Sequence, residues 1–378
     1  MMRTIVLLVT LFWVQTSTLD ARQHSTSSFQ QTVQEVIQTE VQNDSTLAGI
    51  IVHVEAPKQG VSLSQSAGVR YWDGPELNPK APVRIASNTK TYTAAAILRL
   101  YEQGLLKLDD SIEEYISKGH LQLLKNDGYH TEQITIRHLL THTSGMVDHA
   151  ATQTYLSKVF DDPSFRWTRS MQIKGAVDWG DPLFEIGQGF SYSDTGYLLL
   201  GEIIEKITGK SLGEAFHQLL KFDELGIQST WQESIQDKPS QALPRAHQYF
   251  NELDTYNFDP SLDLYGGGGL AATAADMAHF YQALFNHRVF DDTSTLELMI
   301  KSVPLPEDAE RSMDYRMGIY TFEVAGEQVY AHAGFWGTQV VYVPSLNASV
   351  AVVTTQFGKS KTIFELTSAL ITELKSLR

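Results

Sequence analysis

The run Arg84-Ile85-Ala86-Ser87-Asn88-Thr89-Lys90 sets a hydroxyl and an amine three residues apart, where a short apolar lead-in meets a long helical pattern. At that spacing both side chains fall on one face of a first helical turn, so the Lys90 amine can reach the Ser87 hydroxyl. A serine hydroxyl is a weak nucleophile until a neighbouring group accepts its proton, and a desolvated lysine can be tuned for that task. The oriented amides and positive dipole of the helix start would favour the oxyanion of an acyl transfer. Alone, Ser87 also reads as an N-cap and Lys90 as a solvated side chain, so the pair needs further residues to carry chemistry.

Two stretches supply them. Tyr192-Ser193-Asp194 precedes the helical pattern from Tyr197 to Ile207, and His332-Ala333-Gly334 lies in a strand-like run. Gly334, without a Cβ, would let a substrate backbone approach the strand edge. With Ser87-Asn88-Thr89-Lys90 these stretches resemble the ordered set of the penicillin-recognising serine enzymes: Ser-x-x-Lys, then Tyr-x-Asn, then Lys-Thr-Gly or His-x-Gly. That group includes class C β-lactamases, serine D-alanyl-D-alanine carboxypeptidases, D-aminopeptidases and related esterases. Leu139 to Met146, Tyr192 to Tyr197 and Gly267 to Leu270 are similar to stretches of the same group, and the resemblance runs from about Ala48 to the end.

The resemblance implies that Ser87 forms an acyl-enzyme and that Tyr192, with Lys90, relays the proton through a lowered phenol pKa or a shared proton. It implies an oxyanion hole made of the Ser87 and Phe335 backbone N–H groups, and it sets Asp194, His332 and Gly334 against the substrate. Asp194 stands where most relatives carry asparagine; an ionised carboxylate only accepts hydrogen bonds and favours a charged Lys90, which moves weight onto Tyr192. His332 replaces the lysine of many β-lactamases. An imidazole with an ordinary pKa of about 6.5 is expected to gain charge, and with it affinity for substrate carboxylates, as pH falls toward 6.

The elements that must hold these residues can be read from periodicity. Phe29 to Val41 and Lys361 to Leu377 have helical spacing, and Leu47 to Val54 and Val61 to Val69 read as two strands joined by a turn. Arg316 to Val324, Gln328 to His332, Gly337 to Val343 and Ser349 to Thr355 read as an antiparallel meander. Thr91 to Gln103, Tyr197 to Ile207, Leu212 to Leu220 and Ala274 to Asn286 are helical between them. The expected fold is α/β (α+β): an αβα sandwich whose antiparallel sheet, five-stranded by the resemblance, comes from both chain ends. A mostly helical region, at about 92–310, is inserted between the two sheet halves of a 22–378 catalytic domain, with the active site where they meet.

Composition removes other classes. The formal charge of -15, from 29 basic against 44 acidic residues, and the lack of a basic run argue against nucleic acid and anionic membrane as partners. With no cysteine, thiol catalysis and Cys-bound zinc are excluded. His138 and His142 are four apart, but Leu139 stands where a His-Glu-x-x-His zinc protease carries its glutamate, so no metal or other cofactor is expected. Gly266 to Gly269 lacks dinucleotide-loop spacing and reads as a flexible turn. Met1-Met2-Arg3, the apolar Ile5 to Val14 and a small-residue exit to Ala21 read as a cleaved signal peptide over 1–21, too short for a permanent anchor. The expectation is a periplasmic or secreted serine hydrolase acting on D-amino-acid-containing peptides, possibly of the cell wall, in the manner of a D-alanyl-D-alanine carboxypeptidase or a D-aminopeptidase. A small-ester esterase, a β-lactamase and, in another class, a non-catalytic peptidoglycan or β-lactam sensor are the alternatives.

Overall fold

The computed structural model describes residues 27–307, 309–310 and 312–377. The signal peptide expected over 1–21 lies outside the described residues. Seven strands form the main sheet: β1 (Gly49–Ala56), β2 (Val61–Gly68), β3 (Asp314–Tyr315), β4 (Tyr320–Val324), β5 (Glu327–Gly334), β6 (Thr338–Val343) and β7 (Ala348–Thr354). Their order is β2-β1-β7-β6-β5-β4-β3, so the first strand of the chain pairs with the last, Ile50 facing Thr354 in an antiparallel register. The expected five strands are thus seven. Gly318, at φ +71°, breaks the run from Arg316 to Val324, and the bend packs closely on the helix Thr89–Glu102, where a Cβ would lie 2.4 Å from Ala94 Cβ and 2.7 Å from the Lys90 carbonyl oxygen.

Alternation along the strands builds two cores. Val52 and Val54 face one side with Val350 and Val352, against the 27–43 helix (α1) and the C-terminal helix, where Phe29, Ile37, Leu366 and Leu370 are buried. Ile51, Ala351 and Val353 face the other side, against Thr89–Glu102 (α2) and Ala274–Phe285. Between them in sequence lies Asp194–Thr208 (α3), so the Ala274–Phe285 helix is α4 and Ser360–Ser376 is α5. The result is an αβα sandwich with further short helices packed around α2 and α3, whose mutual contact binds the helical part into the sheet's inner layer. Observed and expected helix ends differ by no more than about three residues, the usual fraying range. Among the described residues no helix is long and apolar enough to cross a membrane.

A second, three-stranded sheet joins Val83–Arg84, Leu270–Ala272 and Trp231–Gln232. It ties the segment entering Ser87 to the segment leaving the glycine run. Arg84 fixes this sheet by donating to Glu233 at 2.6 Å and to the Phe258 carbonyl at 2.7 Å, and Arg245 meets the other Glu233 oxygen at 2.8 Å.

Candidate active site

Ser87 sits in the 3₁₀ turn Ala86–Asn88 that leads directly into α2. Ala86 has φ +45°, a left-handed conformation that costs a non-glycine residue roughly 1–2 kcal/mol. The neighbours hold it there. Ile85 donates its N–H to the Leu270 carbonyl at 3.0 Å, and Asn88 Nδ2 bridges the Ile85 carbonyl (2.9 Å) and Thr338 Oγ1 (2.8 Å). A Cβ on Gly334 would lie 2.2 Å from the Ile85 carbonyl oxygen, so glycine is needed there for β5 to pack on the serine turn. That reason differs from the substrate approach suggested by the sequence.

Lys90 is fully buried and its Nζ donates to three acceptors: Ser87 Oγ at 3.0 Å, the Gly267 carbonyl at 2.8 Å and Asp194 Oδ1. An ammonium has three N–H donors, and this geometry uses them all. The Gly266 to Gly269 run forms the expected turn, and its glycines serve close packing. A Cβ on Gly267 would stand 2.5 Å from Asp194 Oδ1 and one on Gly268 2.0 Å from Asp263 Oδ2, so the glycines let backbone close over two carboxylates.

Tyr192 lies beside both residues. Lys90 Nζ is 4.9 Å from its ring centroid, and a hydrogen bond to Ser87 favours phenol ionisation, but burial and then the Asp194 carboxylate push the phenol well above its usual range. Of the two routes expected for Tyr192, a lowered phenol pKa or a shared proton, the raised pKa disfavours the first and leaves the second. His142, which the sequence offered as half of a rejected metal pair and within the family-like stretch Leu139 to Met146 but with no role at the site, positions this tyrosine. It accepts from the Ser193 N–H through Nδ1 at 3.1 Å and from the Ser191 N–H through its carbonyl at 3.0 Å, and its ring lies 4.4 Å from that of Tyr192. His138 instead closes a capping box with Thr135, so the two histidines have separate duties.

Asp194 starts α3 behind the N-cap Ser193, where the helix dipole favours a carboxylate. Burial opposes its charge, but Lys90 outweighs burial and holds its pKa below the ordinary value. Two acids missed by sequence reasoning complete the cluster. Asp148 accepts from the Asp194 N–H at 3.2 Å, and Asp263 sits over Gly268; burial, then the Asp194 charge, raises each from 3.8 to about 7.

A raised carboxyl keeps its proton in the fold while the unfolded chain releases it. Its burden on stability therefore grows as pH climbs from about 4 to about 7 and is constant above. Asp263→Asn is expected to raise the melting temperature by a few degrees at pH 8 and by almost nothing at pH 4, read by calorimetry across that range. A pH-independent change would show that Asp263 does not titrate in this way.

His332 is buried. Its Nδ1 donates to the Ala333 carbonyl at 2.8 Å, which leaves Nε2 to accept from the Tyr315 hydroxyl at 3.1 Å. Burial, then the Lys90 charge, lowers its pKa to about 3. The expected gain of charge toward pH 6 is thus overturned: the ring stays neutral and helps wall the cleft. Ser87, Tyr192, Asp194, His332 and Phe335 border one open cavity of about 440 Å³, joined by Asp148. A narrower pocket continues from Ser87 and Phe335 between Ala150, Tyr155, Leu156 and Phe160. Of the residues expected at the site, Ser87, Tyr192, Asp194, His332 and Phe335 border this one cleft, Lys90 lies beneath its floor, and Gly334 packs on the serine turn behind it.

Comparison with known proteins gives three findings. The family model described as Beta-lactamase matches residues 47–370. Penicillin-binding protein 4* of Bacillus subtilis (strain 168) is 28% identical over 289 residues, 69% of this chain, and the chain spans 58% of that relative's length. Among solved structures, the D-amino acid amidase from Ochrobactrum anthropi SV3 in complex with D-phenylalanine superposes with a TM-score of 0.78 at 20% identity, covering 93% of this chain and 100% of that one. A D-stereospecific amidohydrolase from Streptomyces sp. gives 0.74 at 22% identity, covering 89% and 97%. The two structures establish likeness of fold.

Proposed function

The chain belongs to the Beta-lactamase family, and from that membership we propose that it is an exported enzyme cleaving D-amino-acid-containing peptides or amides through an acyl-enzyme on Ser87. It is a serine hydrolase of the β-lactamase type, which sets aside the non-catalytic sensor. The observation that carries the reading of its site is the triple donation of Lys90 to Ser87, Asp194 and Gly267 beside a protonated Tyr192.

With all three of its protons engaged, Lys90 acts as a fixed positive charge. A neutral phenol both accepts and donates, so Tyr192 relays without becoming a free phenolate. Ser87 Oγ attacks the substrate carbonyl while its proton passes to Tyr192 Oη and the phenolic proton moves to the leaving nitrogen. The C–N bond breaks, the amine departs, and an ester remains on Ser87. Water then enters by the reverse relay and releases the acid. Two backbone N–H groups, of Ser87 and Phe335, hold the oxyanion in this scheme.

Charge refines the substrate. Among the described residues bordering the cleft, the ionised Asp194 is balanced by Lys90, His332 is neutral, and Asp148 and Asp263, each raised to about 7, add only partial negative charge at neutral pH with no further cation facing them. Such a cleft favours a substrate ammonium over a carboxylate. Of the two expected modes this favours the D-aminopeptidase- or amidase-like one over the carboxypeptidase-like one, with the free α-amine near Asp148 and an apolar side chain in the narrower pocket. The names of the D-amino acid amidase and the D-stereospecific amidohydrolase support the D configuration.

The test compares D-alaninamide, N-acetyl-D-alaninamide, L-alaninamide and acetyl-D-alanyl-D-alanine. The free D-amide is expected to have the highest kcat/KM, at least about tenfold above its acetylated form, the magnitude of one charge-assisted contact partly lost to solvent. Preference for the acetylated dipeptide would restore the carboxypeptidase. The leader-like sequence over 1–21 supports a periplasmic or secreted location, which the N-terminal sequence of protein recovered outside the cytoplasm would test.

A further inference from the structure

His53 and Glu55 lie two residues apart on β1, so the strand period turns both toward the sheet face that α4 covers, and α4 brings His279 onto them. His53 Nε2 is 3.4 Å and His279 Nε2 3.1 Å from the same oxygen, Glu55 Oε2, and the three ligand atoms lie within 4.8 Å of one another. The imidazole planes stand at 84° with centroids 5.0 Å apart, so the rings converge on the carboxylate and do not stack. We propose that His53, Glu55 and His279 form a binding site for one divalent transition ion of the zinc type, with water completing a four-coordinate shell.

The surroundings suit an ion better than hydrogen bonding alone. His53 is 3% exposed and its Nε2 has no hydrogen-bond partner, an expensive condition for a buried polar atom. Its Nδ1 lies 2.7 Å from Ser64 Oγ, its cross-strand partner. When Nδ1 donates to that hydroxyl, Nε2 presents a lone pair to the Glu55 carboxylate, an arrangement that repels unless a cation stands between. Ligands about 2.0–2.1 Å from tetrahedral zinc are roughly 3.3 Å from each other, close to both observed separations. Closing the third edge takes only a turn of His279, the partly exposed member.

Two imidazoles and one carboxylate match zinc, whereas magnesium and calcium prefer all-oxygen shells. Ser62 donates to Glu55 Oε2 at 2.7 Å and, with Ser64, orients the ligands from behind. Asp276, one turn before His279, adds negative charge while its own carboxylate is engaged by the Ser229 N–H and Thr230 Oγ1. The site joins β1 to α4, and β7 and β6 lie between β1 and β5, whose end packs beside Ser87. Its consequence is therefore stability of the fold, with hydrolysis unaffected.

Tag-free protein titrated with zinc chloride against a chromophoric chelator is expected to bind one equivalent, and zinc is expected to raise its melting temperature by several degrees. Cobalt should give the visible bands of a tetrahedral ion. His279→Ala and Glu55→Gln should each weaken zinc binding by at least about tenfold and remove the melting shift, and Ser64→Ala should weaken it by about 10–100-fold. His279→Ala should leave hydrolysis unchanged. No binding by the wild type, or equal affinity in His279→Ala and Glu55→Gln, would overturn the site; His279→Gln, which keeps a polar surface group, serves if the alanine variant does not fold.

Discussion

Tyr192→Phe is expected to lower kcat by about 10²–10⁴-fold, the usual loss when a positioned acid–base group is removed. Phenylalanine keeps the ring that packs 4.4 Å from His142, so the melting temperature and KM should change little. The effect falls on kcat because the hydroxyl is needed while the Ser87 proton and the leaving nitrogen exchange partners. Burial and the Asp194 carboxylate hold the phenol well above its usual range, so the activity of the wild type should show no alkaline limb from Tyr192 below pH 10. Steady-state kinetics over pH 6–10 checks both statements. A phenylalanine variant with full kcat would remove Tyr192 from the proton path.

Lys90→Met is expected to reduce activity by roughly 10²–10³-fold, the scale on which a fixed electrostatic donor is lost, and to destabilise the fold. The second effect has a separate cause. Removing one partner of a buried ion pair leaves the other uncompensated, typically at about 3–5 kcal/mol, and here Asp194 would remain with Asp148 and Asp263 nearby. The double variant Lys90→Met/Asp194→Asn should therefore recover most of the stability and little of the activity. Thermal unfolding and kcat/KM measured on both proteins separate the two roles. Recovery of activity in the double variant would mean that Lys90 serves only to neutralise Asp194.

The parts of this site legible in the sequence are those set by short-range geometry or by an ordered motif. Ser87 and Lys90 share a helical turn, so a three-residue spacing suffices to bring Nζ within 3.0 Å of Oγ. The sheet's union of both chain ends was legible from alternation, although the break at Gly318 was not, because the bend packs against Ala94 and the Lys90 carbonyl on a different element. Asp148 and Asp263 carry no local signal: one caps the turn His149–Ala151 and the other lies in the turn Pro260–Asp263, and only tertiary packing sets both around Asp194. The neutrality of His332 was hidden for the same reason, since it follows from burial and from Lys90 beneath the cleft. Gly266 to Gly269 reads locally as freedom, and in the fold it permits close approach.

The claim on which the rest depends is that Ser87 is the sole nucleophile. Incubation with a fluorophosphonate probe, followed by intact mass measurement and peptide mapping, tests it most directly. One adduct per chain, located on Ser87 and absent from Ser87→Ala, is the predicted result. Stoichiometric labelling at Ser144 or another residue, or undiminished labelling of Ser87→Ala, would contradict it.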